Sequence, residues 1–319
     1  VNVGVLVIST NEGDMLRHAL PTALDQDVHD VVVLDNGSDD STAEVAGGLG
    51  VRTVRLDQRR SWPEAMNVAL REVRGDAVLF MQPDCFLTPG FVERAGGRLA
   101  EGGVGSVAPK LVRTLGPRPD QRLDAMDTAG MSLDRRRKNG LVGHGRPALA
   151  YDRAAEAFGA DGAVALYRRE VLEDVAVDGQ VIDEELEAWG SDADLAWRAR
   201  LLGWRCAYEP EAVAFHVRTY SPSTRARMPA WDRTVQFRNR YLMMIKNDPL
   251  ESVLRDLPGI LLYELLALGF TLAREPDLLR GYRDAARLAP SMRRKRRVLQ
   301  QRRRERGAPA PPYGLEPPA

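Results

Sequence analysis

Four carboxylates stand where the chain changes from one kind of segment to another, and their placing suggests cation chemistry. Asp84 closes the run Ala77-Val78-Leu79-Phe80-Met81-Gln82-Pro83-Asp84. Its five leading apolar residues suit a strand buried on both faces of a parallel sheet. Glu12 follows the apolar run Val3 to Ser9, and Asp35 follows Val31 to Leu34. Open α/β sheets bind ligands at the edge where their strands end. Acids gathered at that edge would repel a phosphorylated ligand unless a cation lay between them. Taken alone, Asp84 is better explained as part of a turn-forming Pro-Asp before a helix near Pro89, and the cation reading depends on its context. Asp192, in Ser191-Asp192-Ala193-Asp194, falls at a predicted helix start, where the helix dipole favours an ionised carboxylate.

The elements that must position these acids read as strand–helix alternation. Val3 to Ser9 is a predicted strand, Thr10-Asn11-Glu12-Gly13 its turn, and Asp14 to Leu24 a helix with Leu16, Leu20 and Leu24 on one face. Val31 to Leu34 and Val51 to Leu56 are further strands, with a helix through Val45 between them and a second helix over Pro63 to Val73. Short turns between alternating strands and helices mean parallel βαβ units. No G-x-G-x-x-G follows the first strand, which argues against a dinucleotide oxidoreductase, and no G-x-x-x-x-G-K-[ST] follows any strand. Residues 114–155 are rich in Arg, Asp and Gly with weak periodicity, the mark of a functional or mobile stretch. Phe158 to Arg168 reads as a turn and a strand, Ser191 to Leu202 as a helix, and Arg205–Tyr208 and Ala212–His216 as two short strands. Four helices are expected after them: 231–247, 250–272, 277–288 and the basic 292–306, before a Pro-rich disordered end.

Bulk properties set the outer limits. At 319 residues and 44% hydrophobic, the chain can bury a large core in one elaborate domain or two small ones. Net charge is zero, yet Arg293 to Arg306 holds nine Lys or Arg residues against Glu305 alone, so the remaining body is acidic. Cys85 and Cys206 form neither a disulfide framework nor a metal-ligand spacing, which makes a reducing cytoplasm the default. No secretory leader is expected ahead of the first strand, although the chain begins without Met. The apolar run Leu257 to Ala273 carries Glu264 at its centre, and a buried or interfacial helix is expected there rather than a span.

Between about Val3 and Asn247 the chain resembles a family-2 glycosyltransferase with the GT-A fold, on four blocks in the expected order. Val31 to Thr42 resembles the nucleotide-binding strand and turn. Gly75 to Asp84 resembles the D-x-D strand in the N-P-D form of rhamnosyltransferase-like members. Trp189-Gly-Ser-Asp-Ala-Asp-Leu-Ala-Trp-Arg198 resembles the acceptor-side E-D-x-D-L-x-x-R helix, and Phe237 to Asn247 the R-N-R…K-N helix that follows the catalytic domain. The resemblance implies an α/β fold with a Rossmann-like, mostly parallel central sheet flanked by helices and a C-terminal helical extension. Its expected divisions are 1–228 catalytic (donor half about 1–110, acceptor half about 111–228), 229–306 helical extension and 307–319 disordered tail.

The implied site follows residue by residue. Asp192 matches the catalytic base, with Ser191 in place of a neighbouring acid. Asp84 matches the metal-binding acid, and Gln82 replaces the first acid of D-x-D, so charge-based metal binding rests mainly on Asp84. His216 matches a histidine that completes coordination of Mg²⁺ or Mn²⁺; without the resemblance it is as well read as a packed histidine at a strand end. Thr10, Asn11, Glu12 and Asp35 match positions at the nucleobase and ribose, and Asn67 one near the diphosphate. Trp189 is read as a sugar-stacking face and Asp161 as a turn facing the acceptor, each with a packing or turn alternative. Asp194 is expected to pair with Arg198 one turn on.

The function implied is inverting transfer of a sugar, L-rhamnose among the candidates, from a nucleoside-diphosphate sugar to a hydroxyl of a glycan or polyprenyl-linked acceptor. The alternatives are a catalytically impaired nucleotide-sugar-binding protein and a nucleotidyltransferase. The latter would want basic residues near the first turn, and Thr10 to Asp14 has none. Residues 257–306 are read as a surface for anionic membrane lipid on the inner face of the cell membrane, a homodimer is admitted, and no nucleic acid is expected.

Overall fold

Runs of β-branched and aliphatic residues become the inner strands of a ten-stranded sheet in the computed structural model, which describes residues 1–221 and 224–319. The first half contributes β1 (Val3–Ser9), β2 (Asp30–Asp35), β3 (Arg52–Arg55) and β4 (Ala77–Met81). These lie side by side and parallel in the order β4-β1-β2-β3, joined by helices α1 (Gly13–Leu24), α2 (Thr42–Gly48) and α3 (Trp62–Glu72). Val5, Val7, Val33 and Leu79 are wholly buried, as strands covered on both faces require. The first-half strands and helices therefore stand where periodicity placed them.

The second half departs from simple alternation. After β5 (Cys85–Leu87) and α4 (Phe91–Leu99) come β6 (Val104–Thr114), β7 (Arg122–Thr128), β8 (Met131–Leu133), β9 (Asn139–Leu141), β10 (Ala155–Ala157) and β11 (Val164–Arg168). Helices α5 (Arg169–Val175) and α6 (Ser191–Leu201) then precede β12 (Arg205–His216). β11 enters antiparallel between β4 and β6, β12 runs parallel to β6, and β5 and β7 pair with β12 and β6. The two short strands expected over 205–216 are one strand. Its register shifts between Glu209 and Val213, where Pro210 has no N–H for the ladder. The expected irregular stretch 114–155 holds β7 and the β8–β9 hairpin. β7 alternates over Arg122 to Ala125 in residue type and in exposure, but four residues are a short signal and the alternation is lost over the buried Met126, Asp127 and Thr128.

Helices α7 (Ala230–Asn247), α8 (Leu250–Arg274) and α9 (Leu279–Glu305) follow. The expected break near 288–292 does not occur, because α9 continues through Pro290. Along α9 the side chains of Ala285, Ala289, Met292 and Leu299 are buried, and this apolar stripe holds the helix against the body. The Pro-rich end is also ordered, contrary to expectation. Tyr313 is buried, donates to Asp248 Oδ1 at 2.7 Å and lies under the Arg137 guanidinium, 3.9 Å from its ring centre. One aromatic with an apolar body and a polar tip is enough to seat a segment of low apolar content.

Candidate functional site

Strand register brings the first two groups together. The turn Gln82-Pro83-Asp84 leaves β4 and enters β5, and β5 pairs with β12 so that Cys85 lies opposite His216. Asp84 Oδ2 is thereby 3.6 Å from His216 Nε2. The other ring nitrogen, Nδ1, lies 2.8 Å from Asp127 Oδ2. A carboxylate acceptor there keeps the proton on Nδ1, so Nε2 is directed at Asp84. Burial opposes a charged imidazole, but the bond to Asp127 and the carboxylate of Asp84 push His216 up to about 9.

The network runs on from Asp127. Arg218 donates through Nε to Asp127 Oδ1 at 2.6 Å and through Nη2 to Asp161 Oδ2 at 3.0 Å. Asp161 Oδ1 accepts from Ala163 N at 2.9 Å, fixing the turn 158–162. Gly162 N in that turn donates to Asp192 Oδ2 at 3.1 Å, and Ala193 N donates to Asp192 Oδ1 at 2.8 Å. Two glycines permit this seating. A Cβ on Gly159 would lie 2.3 Å from Ala196 Cβ on α6, and Gly190, at φ +83°, starts α6 in a left-handed conformation. Asp192 is half-buried at the first turn of α6, whose other residues are buried. Burial, and next the charge of Asp161, raise its carboxyl above the ordinary value. Ser191 removes one neighbouring acid, as the sequence indicated, and Asp161 supplies another from across the mouth.

Donor-side residues form the adjoining wall. Asn11 sits at φ +57°, donates from its N–H to Ser38 Oγ at 3.0 Å and accepts from Asp39 N at 2.9 Å. Gly13 N donates to Asp40 Oδ2, and Asn36 Nδ2 to Thr10 Oγ1 at 3.4 Å, so the two turns brace each other. Asp35 is fully buried, accepts from Ser38 N at 2.8 Å and has Arg55 Nε 3.5 Å from Oδ2. Glu12 is pushed up to about 7 by burial and by the charge of Asp84, which places those two acids within reach of each other. Gln82 joins β4 to the 161–163 turn by its backbone N–H, which donates to Ala163 O at 2.8 Å.

Two of the expected site residues have protein partners of their own, and for Asn67 this changes the expected role. Asn67 is buried on α3, and its amide is fully engaged: Nδ2 donates to Ile182 O and Glu184 Oε1, while Oδ1 accepts from Val181 N and Ile182 N. It fastens the 181–184 loop and has no group left for a diphosphate. Trp189 is half-buried, donates from Nε1 to Asp232 Oδ1 at 2.8 Å and meets the edge of Tyr220 at 6.1 Å. Asp194 pairs with Arg198 at 2.8 Å as expected, and also with Lys246 at 2.8 Å.

Asp127 and Arg218 were not foreseen. Arg218 lies two residues past the end of β12, and carrying the strand's alternation that far would put it on the face of His216, so it was within reach of sequence reasoning. Asp127 lies in the stretch that carried no readable pattern.

The donor set fits a divalent cation. Asp84, Cys85 and His216 offer ligand atoms within 4.8 Å of one another. Of these, the carboxylate and the imidazole suit Mg²⁺ or Mn²⁺ better than the buried thiol does, and a bound cation would displace the proton that the metal-free site places on His216. Burial, and next the negative charge of Asp84, hold the Glu12 carboxyl above its ordinary value, and a cation at this edge would relieve both.

The family model described as Glycosyl transferase family 2 matches residues 4–176, more than half of the chain. Solved structures share the fold. S. aureus TarS 1-349 in complex with UDP-GlcNAc is similar with a TM-score of 0.60 and 16% identity, over 96% of this chain and 92% of that one. The mannosyltransferase PcManGT from Pyrobaculum calidifontis, in complex with GDP-Man and Mn²⁺, gives 0.54 and 18% over 96% and 86%. GalNAc-T7 with UDP, GalNAc and Mn²⁺ gives 0.59 and 11% over 77% of this chain, which spans about half (48%) of that protein. These likenesses identify the sheet and its helices as the GT-A fold. No curated protein matches the chain by sequence.

Proposed function

The chain belongs to glycosyl transferase family 2 and is a glycosyltransferase, and on that premise we propose that it moves a sugar from a nucleoside-diphosphate donor to an acceptor hydroxyl with inversion. One observation carries the reading. Asp84 Oδ2 and His216 Nε2 face each other at 3.6 Å, with the imidazole oriented from behind by Asp127, at the mouth that also holds Asp192. Asp84 and His216 would hold Mg²⁺ or Mn²⁺, which supplies Lewis acidity to a leaving diphosphate. Thr10, Asn11, Glu12 and Asp35 would serve the nucleoside end, and Gln82, two residues before Asp84, would serve the donor beside them. Asp161 and Trp189 border the acceptor side.

Asp192 is the proposed base. Its two backbone hydrogen bonds hold the carboxylate in place while its raised proton affinity suits it to accept a hydroxyl proton. As that proton moves to Asp192, the acceptor oxygen bonds the anomeric carbon and the bond to the diphosphate oxygen breaks on the opposite face. The proposed step uses Asp192 as base and forms no covalent intermediate on the protein, which inverts the anomeric centre. The likeness of Gln82-Pro83-Asp84 to the rhamnosyltransferase motif supports L-rhamnose as the sugar, with a glycan or polyprenyl-linked acceptor. The same proposal assigns catalysis to residues 1–228 and support to the C-terminal helices.

The test is donor hydrolysis or transfer with a panel of nucleoside-diphosphate sugars and Mn²⁺. Asp192→Asn is expected to lower turnover by about 10²–10⁴-fold while donor binding persists. Equal turnover in the variant removes the assignment.

A further inference from the structure

Helix α8 is built inside out. Ser252, Asp256, Ile260, Glu264 and Thr271 form one stripe turned toward the body, and most of that stripe is polar. The outward side is aliphatic: Leu254, Leu261, Leu262, Leu265 and Leu266 are each more than half exposed, Leu265 by 68%. Between Leu257 and Ala273 the one charged side chain is Glu264, and it is spent inward on Arg240 Nη1 at 2.6 Å. Water opposes an aliphatic surface of this extent, so the face calls for an occupant.

We propose that the outer face of α8 beds into the apolar layer of an anionic lipid membrane, with the helix parallel to the surface. Among the described residues α8 is the one helix long and apolar enough to cross a bilayer, 25 residues or about 37 Å. The inward stripe keeps it from doing so. It follows the helix from Ser252 to Thr271, and Asp256 and Glu264 are tied to Arg137 and Arg240 at 2.8 and 2.6 Å. A helix held to the protein along its length can lie on a membrane but not traverse it.

Charge decides the kind of membrane. The turn joining β8 to β9 reads Asp134-Arg135-Arg136-Arg137-Lys138 and abuts α8. Arg137 holds Asp256, the Arg136 guanidinium lies 5.7 Å from the ring centre of Tyr263, and Arg135 and Lys138 are exposed on the same turn. Bases at the border of an inserted aliphatic strip are placed for anionic headgroups. They oppose a second copy, because self-association would bring positive edges together. The basic run of α9 contributes less than its composition suggests. Lys295 is buried on Asp183 and Glu185, and Arg296 and Arg302 donate to backbone carbonyls.

The inference stands on the surface of α8 and not on the chemistry at the sheet mouth. Its test is flotation of the full chain with vesicles of phosphatidylcholine alone and of equal parts phosphatidylcholine and phosphatidylglycerol. The wild-type chain is expected to float with the anionic vesicles. Leu262→Glu with Leu265→Glu lowers binding by roughly a hundred-fold or more, with thermal melting unchanged because both sites are exposed. Arg135→Glu with Lys138→Glu lowers it about ten-fold on anionic vesicles only. The proposal is overturned if the wild type does not float, including the case of a dimer that the leucine pair dissociates in sedimentation. It is equally overturned if flotation ignores the leucine substitutions.

Discussion

Two clusters of charge meet at the first turn of α6, where Asp192 belongs to one and Asp194 to the other, and they are composed on opposite principles. Behind α6, Asp183, Asp194 and Glu185 meet Lys246, Lys295 and Arg198 in a matched set. Burial would raise the Asp183 carboxyl, but the ammonium groups of Lys246 and Lys295 hold it well below the usual carboxylate range. At the mouth, Glu12, Asp84, Asp127, Asp161 and Asp192 meet His216 and Arg218. There burial, and next a neighbouring carboxylate, raise Glu12 and Asp192 instead. A balanced set stabilises a fold unaided. An unbalanced one awaits a positive partner, and the contrast separates scaffold from site without reference to any relative.

The largest expected effect breaks the balanced set. Asp183→Asn leaves two buried ammonium groups short of a counter-charge and should lower stability by about 3–5 kcal/mol in chemical denaturation. Asp84→Asn at the mouth should cost much less cation-free stability, because relief of Glu12 offsets the lost attraction to His216. If both variants lost the same stability, the distinction drawn here would fail.

Cation addition comes next. Mn²⁺ at a hundred times its Kd should raise wild-type stability by about 2.7 kcal/mol, read as a higher Tm, and should do nothing for Asp84→Asn. Asp127→Asn keeps the ligands and loosens the imidazole, so calorimetry should show Mn²⁺ affinity weakened about 10–100-fold. The smallest effect is acid dependence. A carboxyl depressed by folding adds stability above its unfolded value, about 3.9, and loses it as pH falls through the folded value. The gap in Tm between wild type and Asp183→Asn should therefore be full above about pH 4 and close below it.

Sequence reasoning succeeded where burial imposes a pattern. Val3–Ser9 and Ala77–Met81 are central strands, their apolar runs leave no other reading, and the acids at their ends follow from them. It failed where partners are distant in the chain. Asn67 contacts residues more than a hundred positions on, and Lys295 reaches Asp183 across 112 residues, so no local pattern told a spent side chain from an available one. The block Arg238 to Asn247 was visible as a motif, but its task was not. Asn239 donates to Trp189 O at 2.6 Å and Asn247 to Asp194 Oδ1 at 2.8 Å, fastening the segment that presents Asp192.

The three-rung ladder of β5 on β12 has a consequence for anyone who edits this chain. Side chains alternate between faces at each step, so one residue inserted or deleted in the Gln82–Asp84 turn would slip the ladder and carry Asp84 or His216 to the wrong side. Loops elsewhere tolerate changes of length far better. For grafting or shuffling between relatives, the length of this short turn should be held constant while its composition is varied.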